Sequence, residues 1–201
     1  MQIAMPSETS APQPRTLNAS DATDAELATL ACANKLAFAE LYRRHLDRVY
    51  RYLLVRVGNP HDAEDLTAQT FMQAMQRITQ FRGQGEFTAW LLSIARNKAN
   101  DYFRGRHETA SLEDLPGLSD AQPALDDAVA ERLQWVQVAQ ALRAIAPDRA
   151  EALVLRIFGE LSMAEVGRVL GKSEAAAKML VSRALADLRT RLDVHAQGIR
   201  R

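Results

Sequence analysis

The chain has a single cysteine, few aromatic residues and no net charge. Cys32 is the only cysteine among 201 residues, so no disulfide can form within the chain, which suits a reducing compartment. No apolar run approaches the about 20 residues that span a bilayer. The N-terminus lacks the basic and then apolar pattern of a secretory signal. These absences predict a cytoplasmic protein without membrane insertion.

The sequence also lacks the motifs that carry catalysis. It contains no Gly-rich phosphate loop and no Cys/His cluster with metal-ligand spacing. The four histidines are scattered, at His45, His61, His107 and His195. We therefore expect no enzyme activity, no catalytic residue, no bound metal and no cofactor.

The zero net charge hides an uneven distribution along the chain. The segment 77–106 has six basic side chains and two acidic ones, and the segment 166–192 has the same balance. Between them, residues 108–131 include seven acidic side chains and no basic one. Two anion-binding surfaces joined by an acidic linker fit this pattern. Two solvated helix faces that happen to be rich in arginine would fit it as well.

The residues that are abundant predict an all-α fold. Ala, Leu, Arg, Glu and Gln dominate, and apolar residues recur at steps of three and four. Pro116, Gly117 and Pro123 interrupt this periodicity and mark a flexible linker between two small helical domains. The predicted division is a disordered tail at 1–23, a first domain at 24–106, a linker at 107–125, a second domain at 126–194 and a C-terminal tail at 195–201.

Four helices are predicted in the first domain, at about 24–33, about 36–57, from the acidic start at residue 62, and about 87–104. Gly58 and Pro60 separate the second helix from the third. Acidic residues at the start of the third helix complement its positive end. Leu66 and Met75 are among its predicted apolar core positions.

The second domain is predicted to end in a helix-turn-helix. Ser162 and Glu165 form a capping box, Gly171 ends the short helix, and Ser173 caps a last helix that reaches about residue 192. The face predicted to dock on the short helix carries Ala177, Val181, Ala184 and Leu188. The opposite face carries Glu174, Lys178, Ser182 and Arg183, which suit phosphates and base edges. On geometry alone, an ordinary helical hairpin is the alternative.

Several short motifs in the first domain follow one another in a distinctive order. They are Asp62-Ala63-Glu64-Asp65-Leu66, then Phe81-Arg82, then Phe87-Thr88-Ala89-Trp90-Leu91, and then Ile94-Ala95-Arg96-Asn97. Together they resemble region two of extracytoplasmic-function (ECF) RNA polymerase sigma factors. The helix-turn-helix is similar to sigma region four, through Leu161-Ser162 with Glu165, Leu170-Gly171, Lys178 and Arg183-Ala184.

The resemblance implies a promoter-binding subunit of RNA polymerase. Region two of the family binds the clamp helices of the largest polymerase subunit and captures an unpaired base of the minus-ten element, and region four binds the minus-thirty-five duplex. The residues implied for core polymerase are Asp62, Glu64, Asp65, Leu66 and Gln69. Those implied for the minus-ten element are Trp90, Asn97, Lys98 and Asp101. Those implied for the minus-thirty-five element are Lys172, Lys178, Met179, Ser182 and Arg183. The resemblance also implies an anti-sigma factor as a partner.

The match has two departures. Thr67-Ala68-Gln69 stands where the family often has Val-Gln-Glu, and Met179-Leu180 replaces a small polar residue followed by Arg. Two other functions remain open at this point. A free-standing helix-turn-helix regulator would explain the second domain but not the acidic motif. A sigma-like decoy would bind an anti-sigma factor and never touch DNA.

Overall fold

The structure is a computed structural model that describes residues 22–81, 83, 86–110 and 138–198, with the side chains of 107–110 and 191–198 excluded. The described residues form helices and turns and contain no strand. The helices are α1 (Asp24–Ala31), α2 (Lys35–Val57), α3 (Pro60–Gln76), a 3-10 turn (Ile78–Gln80), α4 (Phe87–Ala110), α5 (138–143), α6 (Pro147–Ile157), α7 (Met163–Leu170) and α8 (Glu174–Gly198). The all-α prediction is confirmed.

Local capping sets the ends of the first helices. Thr23 and Glu26 form a capping box at the start of α1. At the end of α2, Gly58 adopts a left-handed conformation with φ of 72°, which glycine reaches without steric cost. The Asn59 side chain then accepts hydrogen bonds from the first amides of α3, and Pro60 occupies the first helical position.

The N-terminal half encloses its own apolar core. α2 packs against α1, α3 and α4, and α3 packs against α4. The residues that meet there are almost fully buried, among them Leu41, Leu53, Phe71, Leu91 and Ala95. Such burial is the main source of stability for helices that would be marginal alone.

The C-terminal half ends in the predicted helix-turn-helix. Ser162 and Glu165 satisfy each other's helix-start amides at α7, and Ser173 accepts a hydrogen bond from the amide of Ala176 at 3.2 Å. Gly171 ends α7 with φ of 66°. Gly167 allows a close approach, since a Cβ there would lie 2.8 Å from the carbonyl oxygen of Lys172.

The two halves pack directly on each other. α2 contacts α6, and α4 contacts α7. Leu92 of α4 approaches the turn after α6 so closely that a Cβ on Gly159 would lie 2.8 Å from its Cδ1. Buried apolar residues therefore form one continuous cluster across both halves.

Two helices continue beyond their predicted ends. α4 reaches Ala110 instead of 104, and α8 reaches Gly198 instead of 192. Neither extension contains a proline, which would end the helix. Gly105 lowers the stability of α4 by only about 1 kcal/mol relative to alanine, so the helix continues through it. The predicted N-terminal tail up to residue 21, the predicted linker from 111 onward and the start of the second domain up to 137 lie outside the described residues.

Candidate functional site

The first candidate surface is the outward face of α3. Glu64, Asp65 and Gln69 are exposed there, as three of the five residues implied for polymerase binding. Asp65 lies 3.4 Å from Nδ1 of His61, and this exposed pairing contributes little to stability. The carboxylates near the N-terminal end of α3 make this surface acidic.

Asp62 and Leu66, the other two residues implied for polymerase binding, are less exposed than Glu64, Asp65 and Gln69. Asp62 is half-buried and accepts a hydrogen bond from the Tyr102 hydroxyl at 2.6 Å, which ties α3 to α4. Burial and this hydrogen bond raise the pKa of Tyr102 above its usual value. Leu66 is buried, so its side chain packs the helix in the core. Asp62 and Leu66 therefore support this surface from inside.

The exposed face of α3 continues into an apolar patch that the sequence prediction missed. Met72 is 59% exposed and Met75 is 51% exposed. Met75 was predicted as a core residue, and that prediction is wrong. Buried Ala63, Thr70 and Ala74 define the inner side of the helix, and Met75 lies too far around from them. Met72 follows Asp65 by seven residues and Gln69 by three, and residues at these spacings share one face of a helix. This spacing would have placed Met72 on the outward face.

The second candidate surface is on α4. Asn97 is exposed, and its side chain makes no hydrogen bond to any of the described residues. A helix-capping role would require such a bond. Asp101, one turn further on, is also exposed and forms a surface ion pair with Arg104. Lys98 is half-buried beside them.

Trp90 belongs to an aromatic cluster at the start of α4. Its ring lies 5.5 Å from the rings of both Phe81 and Phe87, and it remains half-exposed. Aromatic pairs at this separation contribute packing energy beyond their buried area. The indole therefore packs in this cluster while part of Trp90 remains accessible.

The third candidate surface is the outward face of α8. Ala177, Val181 and Ala184 are buried and dock α8 on Val166 of α7, as predicted, while Leu188 is half-buried. The implied contact residues are all exposed, namely Lys172, Lys178, Met179, Ser182 and Arg183.

Two of the cations on this surface have carboxylate partners. Lys178 lies 2.8 Å from Glu174 on the same helix, and Lys172 lies 3.3 Å from Asp148. Both pairs are exposed, so a phosphate can compete with the carboxylate at small cost. Arg149 and Asp187, paired at 2.8 Å, hold α6 against α8 behind the surface. The helix thus presents long cations and a central Met179 from a fixed scaffold.

Comparison with known proteins identifies the family. The family model for sigma-70 region 2 matches residues 41–109, and that for sigma-70 region 4 matches residues 135–188. The RNA polymerase sigma factor CnrH of Cupriavidus metallidurans is 30% identical over 194 residues, which cover 90% of this chain and all of CnrH. The chain belongs to the sigma-70 family, among the ECF sigma factors. CarQ of Myxococcus xanthus, also a sigma factor, is 33% identical over 76% of this chain and 87% of its own length.

Other relatives of this ECF sigma factor are longer. The ECF sigma factor BldN of Streptomyces coelicolor is 41% identical over 76% of this chain, but the match covers 59% of BldN. SigE of Mycolicibacterium smegmatis is 33% identical to this chain, and the match covers 62% of SigE. The chain therefore spans about three fifths of the length of these two relatives.

A solved structure supports the same fold for this ECF sigma factor. CnrH in complex with the cytosolic domain of CnrY matches 85% of this chain and 97% of that chain, with 28% identity and a TM-score of 0.67. No helix in the described ranges has the length and apolar character needed to cross a membrane. No group of three or more potential metal ligands occurs among the described side chains either.

Proposed function

We propose that this chain binds core RNA polymerase and directs promoter recognition and DNA melting in transcription initiation. The observation that carries the proposal is the order of the two matched regions on one chain, each with an exposed surface suited to its role. The chain contributes binding and no catalytic chemistry of its own, and it acts in the cytoplasm. Its domains are those predicted from the sequence, at 24–106 and 126–194.

Core polymerase binds the outward face of α3. Glu64, Asp65 and Gln69 supply acidic and polar contacts to the basic clamp helices of the largest polymerase subunit. Met72 and Met75 add an adaptable apolar contact beside them, since methionine side chains fit irregular surfaces. Asp62 orients the start of the helix through Tyr102.

The melted minus-ten strand binds along α4. The exposed Asn97 side chain can offer its carbonyl oxygen as an acceptor and its NH2 group as a donor to the edge of an unpaired base, and Asp101 lies one turn away. Lys98 supplies positive charge, and the half-buried indole of Trp90 offers a ring for base stacking. Their spacing places them along a single helix that a strand can follow.

The minus-thirty-five duplex binds the outward face of α8. Lys172, Lys178 and Arg183 contact phosphates, and Ser182 lies near base edges. Met179 is 52% exposed in the middle of this face, where its side chain suits the methyl group of a thymine.

An anti-sigma factor is the remaining proposed partner. CnrH, which this chain resembles over 85% of its length, was solved in complex with the cytosolic domain of CnrY. A comparable partner for this chain would compete with DNA or polymerase for the surfaces described above.

Run-off transcription with core polymerase on fragmented genomic DNA tests the function directly. Core polymerase plus the chain should give discrete transcripts that core polymerase alone does not give. A chain that binds duplex DNA by itself and adds no transcript would instead be a free-standing helix-turn-helix regulator. A chain that binds neither polymerase nor DNA would be a decoy.

A further inference from the structure

The methionine side chains of this chain are more exposed than is usual for the residue. Of the four methionines that the structure describes, Met72, Met75 and Met179 are each more than half exposed. The fourth, Met163, packs against the apolar core. Methionine is normally among the most buried residue types. Three accessible thioethers in this part of the chain therefore call for an explanation.

Two of these thioethers form a patch at the C-terminal end of α3. Met72 and Met75 are three residues apart and so are neighbours on the helix surface. Ala68, one turn before Met72, is exposed beside them. On α2, the exposed ring of Tyr42 packs edge-on against Phe71 of α3, with ring centroids 4.7 Å apart. We call Met72, Met75, Ala68 and Tyr42 the methionine patch.

The methionine patch is continuous with the acidic end of α3. Glu64 and Asp65 are exposed near the start of the helix, and Gln69 lies between Asp65 and Met72 on the same face. A partner that contacts the carboxylates along this face also covers the thioethers. Proposed binding to core polymerase would therefore exclude water from the methionine patch.

Oxidation would change the polarity of the patch without breaking the chain. Hydrogen peroxide transfers one oxygen atom to a thioether sulfur, which gives the sulfoxide and one molecule of water. Two thiols reduce the sulfoxide back to the thioether and leave as a disulfide and water, a reaction that sulfoxide reductases catalyse. The sulfoxide oxygen is a polar acceptor, so burying it in an apolar contact without a donor is unfavourable.

We propose that Met72 and Met75 are a reversible oxidation site, and that their sulfoxides weaken the binding of this sigma factor to core polymerase. The preferential oxidation of the two residues is a property of the free chain. Only its effect on polymerase binding rests on the proposed function.

Mass spectrometry of peptides from the peroxide-treated, full-length chain tests the site. Cys32→Ser is present throughout, because the exposed thiol of Cys32 also reacts with peroxide. Met72 and Met75 should each gain one oxygen atom before Met163 does, and circular dichroism should show that the protein stays helical. Oxidation of Met163 at the same rate, or earlier, would refute the site.

The dissociation constant for core polymerase, measured before and after the same treatment, tests the consequence. In the Cys32→Ser protein it should rise at least about tenfold, as expected when a buried polar group lacks a partner. Sulfoxide reductases supplied with a thiol should restore the starting value. An oxidised protein that binds polymerase as tightly as the untreated one would overturn the effect on binding.

Two variants in the same background locate the effect. Leucine has no sulfur, so the double variant Met72→Leu and Met75→Leu should show the same dissociation constant before and after peroxide, whatever its starting value. Met179→Leu is the matched control, because Met179 is similarly exposed but lies on α8. Peroxide should weaken its binding as much as that of the parent. An equal loss in the double variant would refute the assignment to α3.

These measurements separate the oxidation site from the function. An untreated chain that does not bind core polymerase would refute the proposed function, and with it the effect of oxidation on assembly. The mass spectra of the free chain would still decide whether Met72 and Met75 are the oxidation site.

Discussion

Asn97 is the residue whose replacement should separate DNA melting from DNA binding. Its side chain is exposed on α4 and has no partner among the described residues, so Asn97→Ala should leave the melting temperature nearly unchanged. Loss of its contact to an unpaired base should reduce open-complex formation about tenfold, by a different factor for each minus-ten sequence. A fluorescent base analogue in the minus-ten element reports this step.

Asn100 provides the control for that experiment. It is exposed on the same helix and accepts a hydrogen bond from Arg56 at 3.5 Å. Asn100→Ala should keep normal melting of the promoter. Equal losses in both variants, or an Asn97→Ala protein that unfolds early and affects all promoters alike, would refute the assignment.

Lys178 should contribute to affinity without affecting the minus-ten preference. Lys178→Ala removes an exposed cation that pairs with Glu174 on the outward face of α8. The slope of the logarithm of the binding constant against the logarithm of salt concentration should fall by about one unit. Fluorescence anisotropy of holoenzyme on promoter duplex measures it, with exposed Lys35→Ala as the control. An unchanged slope would exclude a phosphate contact at this position.

At the level of elements, α3 combines residues proposed to bind core polymerase with residues that support the helix from inside. Glu64→Lys together with Asp65→Lys should prevent assembly with core polymerase and change stability by less than about 1 kcal/mol, because both side chains are exposed. Asp62→Lys should instead lower stability by about 1–3 kcal/mol through loss of the Tyr102 hydrogen bond. Pull-down and thermal melting separate the two effects.

Asp47→Lys is the matched control for α3, as an exposed charge reversal on α2. It should leave assembly intact. If the Glu64 and Asp65 double variant still forms holoenzyme, α3 is not the polymerase-binding surface.

The contact between α1 and α2 should make stability depend on pH. His45 is buried, and Nε2 lies 2.6 Å from Asp24, while Nδ1 has no partner among the described residues. Burial lowers the pKa of His45. The carboxylate of Asp24 raises it, but by less, and the positive charges of Arg48 and Arg44 lower it further. The unfolded chain therefore binds a proton more readily, and stability should fall as the pH drops below about 6.5.

Denaturant unfolding between about pH 7.5 and 5.5 measures this dependence. Because a single proton is involved, the free energy of unfolding can change by at most about 1.4 kcal/mol per pH unit. His45→Gln should flatten it, and His61→Gln, on the exposed end of α3, should not. A flat profile in the wild-type protein would show that His45 does not resist protonation.

Helix ends were predictable where their signals are local. The capping box of Ser162 and Glu165, the helix end at Gly171 and the break at Gly58 were all confirmed, because each depends on neighbours within a few residues. The exposure of Met75 was not predictable from its apolar character alone. It depends on which face of α3 the other helices cover.

At the scale of the whole molecule, the contact between the halves was beyond sequence reasoning. Tyr52 and Glu151 are 99 residues apart, and neither belongs to a recognisable motif. Their contact depends on the packing of α2 against α6, which no local pattern encodes. The family resemblance indicated two domains and their order, and the docked arrangement came from the structure.

Permanganate footprinting on a mapped promoter tests the central claim most directly. Permanganate modifies unpaired thymines, so it reports melted DNA. We predict reactive thymines in the minus-ten region only when core polymerase and this chain are both present. Protected duplex with both present, although the chain binds that DNA by itself, would contradict the account.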